Sequence, residues 1–95
     1  MKSKLTDEEK WEIVGYVKVS NIRYLTLKTI DKKYMMPTEI SKYSGLGLSQ
    51  VSSALRALKT RDLVFCKNED SRKGRLYQTT DLGGEILDMI LDNEK

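Results

Sequence analysis

Apolar residues along the chain alternate between helical and strand-like spacing. Trp11, Val14 and Val17 keep a helical period behind Thr6-Asp7-Glu8-Glu9, a hydroxyl followed three residues on by a carboxylate, which is the sequence form of a capping box. A first helix is therefore expected from near Asp7. The pattern breaks at Ser20-Asn21 and resumes with Ile22, Leu25, Leu27 and Ile30, so a second helix follows, separate from the first or continuous with it. Met35-Met36-Pro37 reads as a short extended segment, because the residue before a proline is pushed out of the helical region. Thr38 then caps a short helix over residues 39–43, which buries Ile40 and stops at Ser44-Gly45, where glycine accepts the left-handed conformation.

After the turn Gly45-Leu46-Gly47-Leu48, Ser49 is placed to cap the next helix. Its Val51, Ala54, Leu55 and Leu58 fall at i, i+3, i+4 and i+7 and form a buried stripe. The opposite positions, Gln50, Ser52, Ser53, Arg56, Lys59 and Thr60, are polar or cationic without an acidic residue, whereas a merely solvated helix usually mixes both signs. Residues 63–67 and 75–79 have strand character and read as a hairpin whose connection, Asn68 to Gly74, is rich in turn residues. Thr80 caps a last helix carrying Leu82, Ile86, Leu87, Met89, Ile90 and Leu91. That set covers more than one helical face, while a small domain needs one stripe to close its core. A homodimer held by the last helix, with the first beside it, is the expected cover. Its interface residues would be Trp11, Leu82, Ile86, Met89 and Ile90.

The elements make one domain over 1–95, mainly α with a small β-hairpin (α+β): N-terminal helices at 7–32, a helix-turn-helix at 38–62, a hairpin at 63–79 and a closing helix at 81–92. Ninety-five residues hold one core and no separate catalytic unit. No apolar run approaches the length of a membrane span, and Met1-Lys2-Ser3-Lys4-Leu5 has no apolar core of the leader type, so a cytoplasmic protein without a membrane partner is expected. A single cysteine, Cys66, and no histidine remove the commonest general base and metal ligand. No nucleophile–base pair, metal cluster or phosphate loop is found, so neither an enzyme nor a cofactor is expected. Cys66, between Phe65 and Lys67, reads as a small hydrophobe more readily than as a reactive thiol. The net charge of +3 is unevenly spread: residues 49–75 hold seven basic and three acidic residues, residues 76–95 one and five. A basic middle segment is the electrostatic footprint of a polyanion partner, or else a solvated face.

The stretch from Pro37 to Val64, with Leu48-Ser49-Gln50-Val51-Ser52-Ser53-Ala54-Leu55-Arg56 at its centre, resembles the helix-turn-helix and strand start of ArsR/MarR-type transcriptional regulators. Arg72-Lys73-Gly74-Arg75-Leu76-Tyr77 and then Thr80-Asp81-Leu82-Gly83 are similar to the wing and the start of the final helix in small archaeal members of that group. The resemblance spans residues 7 to 91 and implies a winged helix-turn-helix, with helices flanking a two- to three-stranded wing, binding double-stranded DNA as a homodimeric regulator. The cysteine and histidine clusters of metal-sensing members are absent, and the chain is shorter than MarR-type proteins, so their ligand pocket is not implied.

In that setting Ser49, Gln50, Ser52, Ser53 and Arg56 lie where a recognition helix meets base edges, Gln50 suited to adenine and Arg56 to guanine or a phosphate. Lys59, Lys67, Arg72, Lys73 and Arg75 are placed for phosphates or the minor groove, and Thr38 for a phosphate or simply as a cap. Trp11, Tyr16 and Tyr24 read as core or dimer contacts. For Tyr77, core packing and a phosphate hydrogen bond both stay open. The same fold also serves as a protein-interaction adaptor in transcription and replication assemblies, a role that an electronegative or apolar recognition face would favour.

Overall fold

The structure, a computed structural model, describes residues 4–94; Met1 to Ser3, which open the N-terminal segment considered as a leader, and Lys95 lie outside the described residues. Helix α1 (Asp7–Lys18) starts on the expected capping box: Thr6 Oγ1 accepts from the Glu9 N–H at 3.1 Å and Glu9 Oε1 from the Thr6 N–H at 2.9 Å. Ser20 opens a separate α2 (Asn21–Ile30) by accepting from the Arg23 N–H at 3.3 Å. Helices α3 (Pro37–Ser44) and α4 (Leu48–Thr60) each begin ahead of the residue expected to cap them. Met36 and Gly47 are the N-caps, so Thr38 and Ser49 sit inside the first turns and cap nothing. Glu39 and Gln50 reach back instead, each accepting through Oε1 from the cap residue's N–H at 2.9 Å. That half of a capping box works whatever residue stands at the cap. Between the two helices Gly45 takes φ 80°, as expected.

Helix α4 ends on Asp62, which adopts φ 62° while its N–H donates to Lys59 O at 3.0 Å and the Leu63 N–H donates to Leu58 O at 2.9 Å. This is the bond pattern of a Schellman cap, with buried Leu58 and Leu63 as its apolar pair. Strands β1 (Val64–Cys66) and β2 (Tyr77–Thr79) pair antiparallel, Cys66 opposite Tyr77, and Met35 bridges Tyr77 from the other side as a third, single-residue strand. The paired strands are shorter than 63–79 suggested because Asn68 takes over the ladder with its side chain. Its Oδ1 accepts from the Leu76 N–H at 2.8 Å and its Nδ2 donates to Gly74 O at 3.0 Å. Thr80 then caps α5 (Asp81–Asn93), accepting from the Gly83 N–H at 3.0 Å.

The core lies around α2, which packs on α1, α3, α4, α5 and β2. Val17, Leu27, Ile30, Ile40, Val51, Leu58, Leu63, Ile86 and Ile90 are buried in it. This corrects the expected dimer interface: Leu82, Ile86 and Ile90 belong to the interior of one chain. Helix α5 is wrapped by α1, α2 and β2 of the same molecule, so most of its apolar surface already has a cover. Of the five expected interface residues, Trp11 stays exposed and Met89 half-buried. Ion pairs of 2.6 Å, Lys10 Nζ to Glu85 Oε2 and Lys18 Nζ to Glu94 Oε2, tie α1 to α5. Tyr16 and Tyr24 also make contacts within the chain. The Tyr16 ring lies between the guanidinium groups of Arg23 and Arg61, 4.0 and 4.1 Å from its centroid, and Tyr24 donates to Glu94 Oε1 at 2.8 Å.

Thr26, in the buried face of α2, has a hydroxyl with no hydrogen-bond partner among the described residues. Burying a hydroxyl unpaired costs about 1–3 kcal/mol, and valine fills the same volume without it. Thr26→Val is expected to raise stability by about 1 kcal/mol, read as a higher denaturant midpoint with an unchanged slope.

Candidate nucleic-acid interface

The buried stripe of α4 holds Val51, Ala54, Leu55 and Leu58, which turns Ser49, Gln50, Ser52, Ser53, Arg56 and Lys59 to solvent. All five residues expected to meet base edges are therefore exposed on one helix face. Ser49, Ser53 and Arg56 run along its centre at i, i+4 and i+7, and Ser52 and Lys59 flank them on the side of the hairpin. Gln50 is only partly available, since its Oε1 is held by the Gly47 N–H. Its amide nitrogen remains to donate, so the expected bidentate pairing with adenine requires the cap bond to open.

The hairpin folds back onto this face. Ser52, Arg56 and Lys59 of α4 line a groove of about 300 Å³ together with Arg75, Tyr77 and Pro37 at the start of α3, and none of its lining residues is acidic. Tyr77 is thereby resolved as a half-buried wall of the groove. Arg75 is aimed by its loop, its Nε donating to Ser71 O at 2.7 Å. Arg72 and Lys73 stand exposed at the tip with no ion pair among the described residues. Thr38 is exposed in the first turn of α3, beside Pro37.

Two of the expected phosphate ligands are placed otherwise. Lys67 falls on the face of the sheet turned away from α4, the face that carries Phe65, and its Nζ lies 4.8 Å above the Tyr34 ring. The two-residue pleat sets this: in β1, Cys66 opposes Tyr77 on the groove side, so Phe65 and Lys67 point outward. Lys59 is on the correct face but is paired with Glu69 of the wing. The hydrogen bond between them raises the Lys59 pKa and lowers that of Glu69. Both groups are exposed, so the pair adds little to stability, yet it occupies a cation of the groove. A carboxylate with a lowered pKa keeps its charge through neutral pH and loses it only as pH falls through that lowered value. Glu69→Gln is thus expected to tighten binding of a polyanion at neutral pH, and the gap from the parent protein should close as pH drops below the carboxylate range. Anisotropy titrations over a pH series check this.

Sequence reasoning missed Glu69 as a partner of Lys59, because the α4 cap and strand β1 lie between them and carry no pairing signal. It missed exposed Leu48 as well, which the early start of α4 puts in the first turn of the helix.

No protein-family model matches the sequence, and no curated protein matches it. Among solved structures the chain is similar to TubR bound to 24 bp of tubC from Bacillus thuringiensis serovar israelensis pBtoxis. The TM-score is 0.78 at 14% identity, covering 97% of this chain and 99% of that one. The chain has the winged helix-turn-helix fold. A Mycobacterium bovis homodimeric winged helix-turn-helix DNA-binding domain, of a possible ArsR-family regulator, aligns with TM-score 0.69 and 18% identity over 98% of this chain and 90% of that one. Staphylococcus aureus MarR, solved with salicylate and kanamycin, gives 0.72 and 20% over 92% of this chain, which spans 60% of the MarR chain. In winged-helix terms α4 is the second helix of the helix-turn-helix, residues 67–76 form the wing loop, and α1 and α5 close the domain. No described helix is long and apolar enough to cross a membrane.

Proposed function

We propose that the protein binds double-stranded DNA sequence-specifically, as a homodimeric transcriptional regulator without catalytic activity. One observation carries this reading: Ser52, Arg56 and Lys59 of the recognition helix and Arg75 of the wing converge on a groove that no acidic residue lines. A polar, cationic helix face fits the major groove, where arginine pairs bidentately with guanine and small hydroxyls reach base edges. Exposed Leu48 fits a thymine methyl. Arg72 and Lys73 at the tip of the wing fit phosphates or the neighbouring minor groove, which positions the protein more than it selects sequence. Solved neighbours of the same fold add support, one of them bound to DNA and another homodimeric.

The dimer contact falls to the outer side of α1 and α5, where Trp11 is 49% exposed and Met89 half-buried. A two-fold axis there sets two recognition helices toward successive major-groove turns. With DNA as partner, the location is cytoplasmic.

Titration of labelled duplex at several salt concentrations, with light scattering at the same protein concentrations, tests the proposal. Affinity is expected to fall steeply as salt rises, because lysines and arginines release condensed counterions. The mass should be twice that of one 10.9 kDa chain. No duplex binding even at low salt would defeat the DNA reading and leave the protein-interaction adaptor. A mass of one chain while DNA is bound would defeat the dimer.

A further inference from the structure

We propose that a second groove, between α2, the connection at residues 31–35 and α3, binds single-stranded nucleic acid. The groove encloses about 620 Å³ and is lined by Lys28, Lys33, Tyr34 and Tyr43 among others. It shares no lining residue with the recognition groove: Pro37 borders that one, whereas Glu39 and Tyr43 of the same helix border this one. Its two tyrosines stand in water, Tyr34 at 45% and Tyr43 at 69% exposure, and Phe65 beside Tyr34 is exposed as well.

Each tyrosine is accompanied by an ammonium group, Lys67 Nζ at 4.8 Å from the Tyr34 centroid and Lys42 Nζ at 5.8 Å from that of Tyr43. Phe65 meets Tyr34 edge-on, with centroids 6.4 Å apart at 88°, and this braces the ring. Lys33 and Lys67 have no ion pair among the described residues. The one acidic lining residue, Glu39, has Oε1 engaged by the Met36 N–H at 2.9 Å.

The ammonium covers one face of each ring, and the opposite face suits one nucleotide, the base stacking there and the phosphate meeting the lysine at the ring's edge. A duplex offers phosphates and base edges but no free base face, since its bases are stacked on each other, and would leave the rings in water. The tyrosines are what select a single strand over a duplex.

The experiment is fluorescence anisotropy of a labelled mixed-sequence single strand of roughly ten nucleotides, at low salt, against the whole protein and four variants. Tyr34→Ala with Tyr43→Ala should weaken single-strand binding about tenfold or more, as loss of stacked bases does. Tyr34→Phe with Tyr43→Phe should retain it. Lys33→Glu with Lys67→Glu should lose it while the far-ultraviolet circular dichroism stays unchanged, which keeps the test decisive even if the alanine pair unfolds. Arg56→Ala should leave it intact, and excess unlabelled duplex should not displace the strand. Three results overturn the proposal: no single-strand binding, loss of that binding in Arg56→Ala to the same degree, or equal binding by the parent and both lysine and tyrosine variants. The duplex titrations are read on a separate probe, so either proposal can fail alone.

Discussion

Gly83→Ala is expected to destabilise the protein by about 2–3 kcal/mol, at the upper end of what inserting one methyl into a packed site costs. A Cβ at Gly83 would lie 1.9 Å from the Leu63 carbonyl oxygen and 2.9 Å from its carbon. The obstacle is backbone, and that backbone is held. Leu63 O accepts from the Thr80 N–H at 3.1 Å, while Leu63 is buried at the end of the α4 cap. Helix α5 cannot retreat either, because Ile86, Leu87 and Ile90 sit in the core one and two turns further on. Helix propensity argues the other way, since alanine is favoured over glycine by about 1 kcal/mol in a helix interior. A clash with a fixed carbonyl outweighs that. For a domain of this size each kcal/mol moves the thermal midpoint by about 4–8 °C, and a fall of about 8 °C or more is expected. Gly84→Ala is the matched control: a Cβ there has nothing within 4 Å, and stability should rise slightly. An unchanged midpoint in Gly83→Ala would show that α5 and the start of the hairpin are not in close backbone contact.

Arg56→Ala should lower affinity for the preferred duplex by about 1–3 kcal/mol, or roughly fivefold to 150-fold, and relax base preference at one position. Arg56 holds the middle of the exposed face of α4, lines the groove shared with the hairpin, and has no ion pair among the described residues. Its replacement should leave stability within about 0.5 kcal/mol of the parent, as is usual for exposed positions, so binding and folding effects separate. The wing makes the contrast. Arg72→Ala with Lys73→Ala should weaken preferred and random duplexes by similar factors, and should flatten the salt dependence by roughly one in slope for each phosphate no longer engaged. Should the wing variant alter only the preferred sequence, or Arg56→Ala weaken all duplexes equally, the division between helix and wing is reversed.

Much of this architecture was legible in the order of residues. The Thr6 and Thr80 caps, the left-handed Gly45 and the Val51, Ala54, Leu55, Leu58 stripe all stand in the structure where the pattern placed them, because each rests on interactions within about one helical turn. The exposed set Ser49, Gln50, Ser52, Ser53 and Arg56 followed from the same stripe. Side chains opposite a buried face have nowhere else to go. Helix starts were misjudged by two residues at both α3 and α4, where Met36 and Gly47 serve as caps and the signal lies in Glu39 and Gln50 instead.

What the sequence could not carry was every relation between distant segments. An apolar excess on α5 is the same in sequence whether α1 of the same chain or a second chain covers it, and only packing assigned Leu82, Ile86 and Ile90 to the interior. Lys67 read as a phosphate contact until the pleat turned it outward onto Tyr34, and Lys59 read as another until the wing brought Glu69 beside it. The need for glycine at 83 is likewise invisible in its own helix, since the atom it avoids is the Leu63 carbonyl at the end of α4. Local sequence determined which residues form each element and which face each helix offers to water. Tertiary structure decided which offered groups meet, because those meetings depend on how elements far apart in the chain are docked.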